Sequence, residues 1–192
     1  MKKVSKKVGL LGGSFNPIHN FHLLIIKTLL NRGVVDEVWI VPCKKHAIKG
    51  VLPSAKHRVN MIKLGIKGFS DVFISYVELN SKKTNYTLRT VKILKKRFNH
   101  EFFWIAGSDI LYEFKKWHNY KELFSLIKFI FFKRTGYPIK PVLNLDYLLV
   151  DCPASNISST IVRKRACLGK SLNNLVPKSV EEYIFKNKLY ID

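Results

Sequence analysis

The sequence predicts an α/β fold: a doubly wound parallel sheet with helices on both faces. Three observations carry this reading. An apolar run, Val8–Leu11, has the composition of a buried strand, and an apolar-rich stretch, Leu23–Leu30, follows it with helical character. Asp36-Glu37-Val38-Trp39-Ile40-Val41-Pro42 then returns as a second strand, and strand, helix and strand in that order imply a right-handed parallel crossover. Further apolar strands follow at Val72–Ile74, Glu101–Gly107, Leu126–Phe132 and Tyr147–Val150, with helical patterns between the earlier ones.

The 192 residues suit one domain spanning the chain, long enough to bury a sizeable core. A content of 47% hydrophobic residues excludes a disordered chain. No apolar stretch reaches the length needed to span a membrane. The basic start, Met1–Lys7, resembles the first part of a signal, but Gly12-Gly13 cut its apolar continuation short and no cleavage site follows. The expectation is a cytoplasmic protein. Cys43, Cys152 and Cys167 are odd in number and far apart, which suggests neither a disulfide framework nor a metal pair.

Lysine and arginine total 34 against 13 acidic residues, a formal charge of +21. The lysines are spread along the whole chain rather than gathered in a tail. The charge is therefore read as a field favouring phosphorylated substrates, and only weakly as a sign of nucleic-acid binding.

Between the first strand and the first helix lies Gly12-Gly13-Ser14-Phe15-Asn16-Pro17-Ile18-His19-Asn20-Phe21-His22. A strand, a glycine turn and a helix start form an anion site, since backbone N–H groups and the positive end of the helix dipole face it together. His19 and His22, three residues apart, share one face of the helix entrance. Two imidazoles there can donate to oxygens that gain charge during phosphoryl or nucleotidyl transfer. The rival readings are a helix cap and half of a zinc site; for zinc, no Cys or acidic ligand lies nearby in sequence.

Asn31-Arg32-Gly33 stops the first helix. After Pro42 the chain leaves a strand's carboxyl end, where open α/β sheets bind ligands. Lys45 and His46 are placed there to meet an anion, or simply to form a solvated loop. Ser54 is a plausible N-cap for a helix carrying Val59, Ile62 and Ile66 on one face, with His57 and Arg58 either on the surface or touching a ligand. Tyr86-Thr87 precedes a helix of Leu88, Val91, Leu94 and Phe98, whose first N–H groups could hold a carboxylate or amide. Gly107-Ser108-Asp109 ends a strand with a carboxylate suited to a ribose hydroxyl or a metal-bound water, or with an ordinary helix cap. Trp117 can stack on a flat heterocycle or serve as core. Ser155–Arg163 sets hydroxyls at a helix N-terminus, where they can hold phosphate oxygens; an N-cap with a surface arginine is the plain alternative. Pro177 opens a last helix.

Taken together, the GGSFNP string with His19 and His22 resembles the (H/T)-x-G-H signature of the nucleotidyltransferase superfamily, with Phe21 in place of the glycine. Ile157-Ser158-Ser159-Thr160-x-x-Arg163 is similar to the superfamily's ISSTxxR motif without a substitution. The full pattern, from about residue 8 to residue 190, resembles the nicotinate/nicotinamide mononucleotide adenylyltransferase branch. Tyr86-Thr87 matches the end of that family's G-x-S-Y-T stretch, whereas Thr84 and Asn85 depart from it.

The resemblance implies a Rossmann-like, nucleotidyltransferase-type sheet and the joining of ATP to nicotinate mononucleotide, with deamido-NAD and pyrophosphate as products. The nicotinamide form would give NAD. By the same resemblance, ATP meets Gly12, Gly13, Ser14, Phe15, His19, His22, Gly107, Asp109, Ile157, Ser158, Ser159, Thr160 and Arg163. Of these, His19, His22 and Arg163 act on the reacting phosphates. The mononucleotide falls to Asn16, Lys45, His46, Tyr86, Thr87 and Trp117. Magnesium is expected to ride on the ATP phosphates, with no protein side chain as its ligand. Two alternatives stand beside this reading. One is another small-substrate nucleotidyltransferase, such as the phosphopantetheine enzyme; the other is a basic nucleic-acid-binding protein on the same fold. The sequence leaves open the oligomeric state, a homo-oligomer included, and the choice between nicotinate and nicotinamide.

Overall fold

A computed structural model of the chain describes residues 5–44, 53–82, 86–134, 136–139, 145–153 and 155–191. Its centre is a six-stranded sheet of β1 (Lys7–Gly13), β2 (Glu37–Pro42), β3 (Val72–Ile74), β4 (Glu101–Gly107), β5 (Lys128–Phe132) and β6 (Tyr147–Val150). The spatial order is β3-β2-β1-β4-β5-β6, and every pairing is parallel. This is the doubly wound Rossmann order, in which the direction of winding reverses between β1 and β4.

Strands buried on both faces need apolar residues at nearly every position, which is why they read as continuous runs. In β4, Phe103 and Ile105 join one core while Phe102, Trp104 and Ala106 join the other; β5 splits likewise, with Ile130 and Phe132 opposite Phe129 and Phe131. The first core is closed by α1 (Asn20–Asn31), α2 (Ala55–Gly65), α5 (Ser159–Cys167) and α6 (Lys178–Lys186). The second is closed by α3 (Thr87–Arg97) and α4 (Tyr120–Leu126).

Several boundaries move from their sequence expectation. Gly12 and Gly13 belong to β1, paired with Val41 and Pro42, rather than to the turn after it. Neither glycine has a positive φ; a Cβ on Gly12 would overlap the Trp104 ring, 2.7 Å from its Cη2. Close packing, and not turn geometry, explains the glycine there. Leu126 ends α4 instead of opening β5, and Phe98 lies past the end of α3 in extended backbone. α4, only seven residues long, was not foreseen. Ser54 caps α2 as expected, its Oγ accepting the His57 backbone N–H at 3.4 Å.

Candidate active site

The chain's two specific motifs are far apart in sequence and meet at the carboxyl edge of the sheet. Beyond β1 the segment Ser14–His19 folds back over the strand ends. Phe15 takes a left-handed backbone, φ 46°, unusual for a bulky residue, and its ring is fully buried beside Gly13. α5 then closes on this segment from the other side. Ser159 Oγ donates to the Pro17 carbonyl at 2.9 Å, and Arg163 Nη1 donates to the Asn16 carbonyl at 2.9 Å. Arg163 Nη2 also reaches Thr160 Oγ1 at 3.3 Å, and Ser158 caps α5 by accepting from the Ile161 N–H. Tyr190 Oη donates to Asn16 Oδ1 at 2.7 Å, so the buried Asn16 is held from both sides.

His19 stands at the N-cap of α1 and His22 one turn on, their rings stacked with centroids 3.6 Å apart. The backbone N–H of His19 donates to Nδ1 of His22 at 3.2 Å. An acceptor Nδ1 places the ring proton of neutral His22 on Nε2, which is thereby left as a donor. Nδ1 of His19 is buried with no hydrogen-bond partner among the described residues. Burial, aided by the positive charge of Arg134, pushes the His19 pKa down to about 4. Burial chiefly, then His19 and Arg134, also holds His22 well below its ordinary value. Both rings are neutral donors at pH 7.

Phe21, the departure from the superfamily signature, sits in regular α1 helix. Its ring is buried edge-on against Phe132 at 5.7 Å. It takes up core volume between α1 and β5 and leaves the backbone of the helix entrance undisturbed.

Across the switch point, Gly107 ends β4. A Cβ there would come 2.7 Å from Cδ of Arg134, so the glycine lets that arginine lie across the strand end. Arg134 Nη1 pairs with Asp109 Oδ2 at 2.7 Å. Ser108 is fully buried, accepting the Arg134 N–H and donating to the Tyr137 carbonyl. Ser108 and Asp109 open a short 3₁₀ turn, Ser108–Tyr112, whose cap position is Gly107, so neither caps it. Among the described residues, no group of three or more His, Cys, Asp or Glu side chains converges as a metal cage.

The expected mononucleotide residues come partly together. Tyr86 precedes α3 and stacks on His118 with centroids 4.4 Å apart, which draws the start of α3 (Thr87) toward Trp117. Trp117 packs edge-on to Trp104 at 6.5 Å, and Trp104 underlies Gly12. Lys45 and His46 lie outside the described residues, as do Thr84 and Asn85.

Two arginines went unassigned in the sequence. Arg134 follows a predicted strand, and its position at a strand's carboxyl end was the available signal. Arg58 was expected either on the surface or against a ligand, and it is not on the surface. Only 1% exposed, it donates to the carbonyls of Ser14 at 2.8 Å, Cys43 at 2.7 Å, Pro53 at 3.3 Å and Lys44 at 3.4 Å. One guanidinium thus joins the ends of β1 and β2 to the approach to α2. Nothing in the local pattern of α2 announces this, because three of the four acceptors, Ser14, Cys43 and Lys44, come from other segments of the chain.

A cytidylyltransferase-like family model matches residues 10–165. Over 188 residues the chain is 36% identical to the nicotinate-nucleotide adenylyltransferase of Bacillus subtilis strain 168, covering 96% of this chain and 98% of that one. The chain belongs to the nicotinate-nucleotide adenylyltransferase family. Among solved structures it is similar to the Plasmodium falciparum nicotinic acid mononucleotide adenylyltransferase complexed with NaAD. The TM-score is 0.85 at 26% identity, covering 96% of this chain and 97% of that one. The same Plasmodium enzyme complexed with APC matches with a TM-score of 0.83 at 25% identity, with the same coverage. The family's activity makes this chain a transferase on an α/β nucleotidyltransferase fold. No described helix is long and apolar enough to cross a membrane.

Proposed function

We propose that this chain transfers the adenylyl group of ATP to nicotinate mononucleotide, releasing pyrophosphate and forming deamido-NAD for NAD synthesis. The observation that carries the reading is the junction of the two motifs. Ser159 and Arg163 hold the carbonyls of Pro17 and Asn16, and that same segment delivers the neutral pair His19 and His22.

The chemistry follows from these groups. A phosphate oxygen of the mononucleotide attacks the α-phosphorus of ATP, the bond from that phosphorus to the bridging oxygen breaks, and pyrophosphate leaves. The attacking oxygen is already anionic, so no general base is required. His22, with its proton on Nε2, donates to oxygens that gain charge in the transition state. His19 and Arg134 add a further imidazole and a fixed positive charge beside it. Ser158, Ser159, Thr160 and Arg163 receive the triphosphate at the start of α5, where the helix dipole adds its field. Gly12 and Gly13, with Ser14 and Phe15, form the floor beneath it. Trp117, Tyr86, Thr87 and Asn16 are assigned to the pyridine mononucleotide; Lys45 and His46, outside the described residues, are assigned to it by the family resemblance alone.

Asp109, half-committed to Arg134, is the carboxylate that would meet the water shell of a magnesium ion carried on ATP. Such an ion supplies charge neutralisation of the leaving pyrophosphate. One domain over residues 1–192 and a reducing, cytoplasmic setting complete the reading; three free cysteines support the latter.

The test is pyrophosphate release with ATP and magnesium, offering nicotinate and nicotinamide mononucleotides separately. Release with nicotinate mononucleotide, at the higher kcat/KM, is the expected result. Silence with both in folded protein would overturn the proposal.

A further inference from the structure

One cavity lies away from the residues assigned above. It is a groove of about 810 Å³ beside the edge strand β3, between α3 and the segment Phe73–Lys82. Its size is that of a small-ligand pocket, on the order of 300–1,000 Å³. No residue placed in the reaction lines it.

Its lining has two chemical parts. The first is aromatic: Trp39 is flanked edge-on by Phe98 at 4.9 Å and by His100 at 6.0 Å. Phe73 and Phe98 are 47% and 41% exposed, a large apolar surface to leave in water. The second is cationic. Lys82, Arg89 and Arg97 line the groove and form no ion pair with a carboxylate among the described residues. Arg89 and Arg97, with Ile93 between them, recur every four residues and share one face of α3. Glu37 also lines the groove, and its charge is already met by Lys6 and by the Trp39 indole N–H at 2.8 Å.

We infer that this groove is a second binding site, for an anion of nucleoside monophosphate size. Its flat ring lies against Trp39, Phe73 and Phe98, and its phosphate meets the arginines of α3. Arg89 Nη1 donates to Ser81 Oγ at 2.6 Å, which leaves its charge without a carboxylate. Aromatic walls with guanidinium groups not neutralised by a carboxylate suit a ligand that is flat at one end and anionic at the other. The same charges disfavour a second copy of this chain, whose own groove is equally positive and whose net charge is +21. The inference does not rest on the adenylyltransferase reading.

Three tryptophans make the test site-specific. The indole N–H of Trp39 reports the groove, whereas Trp104 and Trp117 report the region under Gly12 and the α3 start. The full chain, ¹⁵N-labelled, is titrated with AMP while the three indole signals are followed. AMP is expected to move the Trp39 signal saturably, with adenosine or inorganic phosphate alone weaker by about tenfold or more. Phe73→Ser and Arg97→Glu, both at exposed positions, should each weaken that response by about tenfold. The Trp104 and Trp117 signals and pyrophosphate release should stay as in the parent chain. A Trp39 signal unmoved by AMP, or moved equally in both variants, would overturn the inference. A single-stranded oligonucleotide that moves Trp39 at far lower concentration than AMP would overturn it too, marking the groove as a polymer surface.

Discussion

Arg163 donates to the backbone carbonyl of Asn16 at 2.9 Å across 147 residues of sequence. Through this one bond the arginine of the second motif positions the segment that carries the two histidines of the first. The arrangement of His19 and His22 therefore depends on α5 as much as on α1. Arg163→Lys keeps the charge and loses the planar fork, so it should lower kcat by about tenfold or more without unfolding the chain. Steady-state pyrophosphate release beside a thermal melt checks this.

His22→Ala removes the Nε2 donor. The expected loss is about 10²–10³ in kcat with KM for ATP little changed, because the donor acts on charge that develops in the transition state. Near-normal turnover of a folded His22→Ala chain would dismiss the role given to His22.

The depressed histidine pKa values carry a stability consequence whose sign is fixed. Between the ordinary value of 6.5 and about 4, the unfolded chain binds more protons at His19 than the folded chain does. Stability therefore rises with pH across that window. The contribution is full above pH 6.5 and is lost as the pH falls toward 4. Urea unfolding at several pH values should show this slope, and His19→Gln should flatten it. In Arg134→Met, NMR titration should place the His19 pKa higher, since a repelling charge has gone.

Arg58→Met should cost about 3 kcal/mol or more in urea unfolding, because the carbonyls of Ser14 and Cys43 lose a buried charged donor. A loss no larger than that of an exposed arginine would contradict the staple described above.

Gly12→Ala drives a methyl into the Trp104 ring, an overpacking that typically costs about 1–3 kcal/mol. The smaller ring of Trp104→Phe should relieve part of it. A double-mutant cycle is expected to show coupling of about 0.5 kcal/mol or more.

Phe21→Gly, which restores the residue of the superfamily signature, should destabilise the chain by about 3–5 kcal/mol. It removes a buried ring packed on Phe132 and places glycine in a helix. Equilibrium unfolding measures it directly.

The sequence by itself determined the α/β class, all six strands to within two residues at each end, and both motifs. Strands buried on two faces and hydroxyl-rich helix starts are local patterns, and local patterns survive reading in one dimension. It could not separate Leu126 from the strand that follows, because an apolar residue ending a short helix looks the same as one opening a strand. It also read Gly12 as part of a turn, since the reason for that glycine is the Trp104 ring, contributed by another strand. Tertiary structure alone decided that Arg58 is an internal staple, that Arg134 stands beside the histidines and that Asn16 is held by both Arg163 and Tyr190. Each depends on acceptors or neighbours brought in from distant segments by the winding of the sheet. A guanidinium's partners are chosen by that winding and leave no trace in the residues beside it.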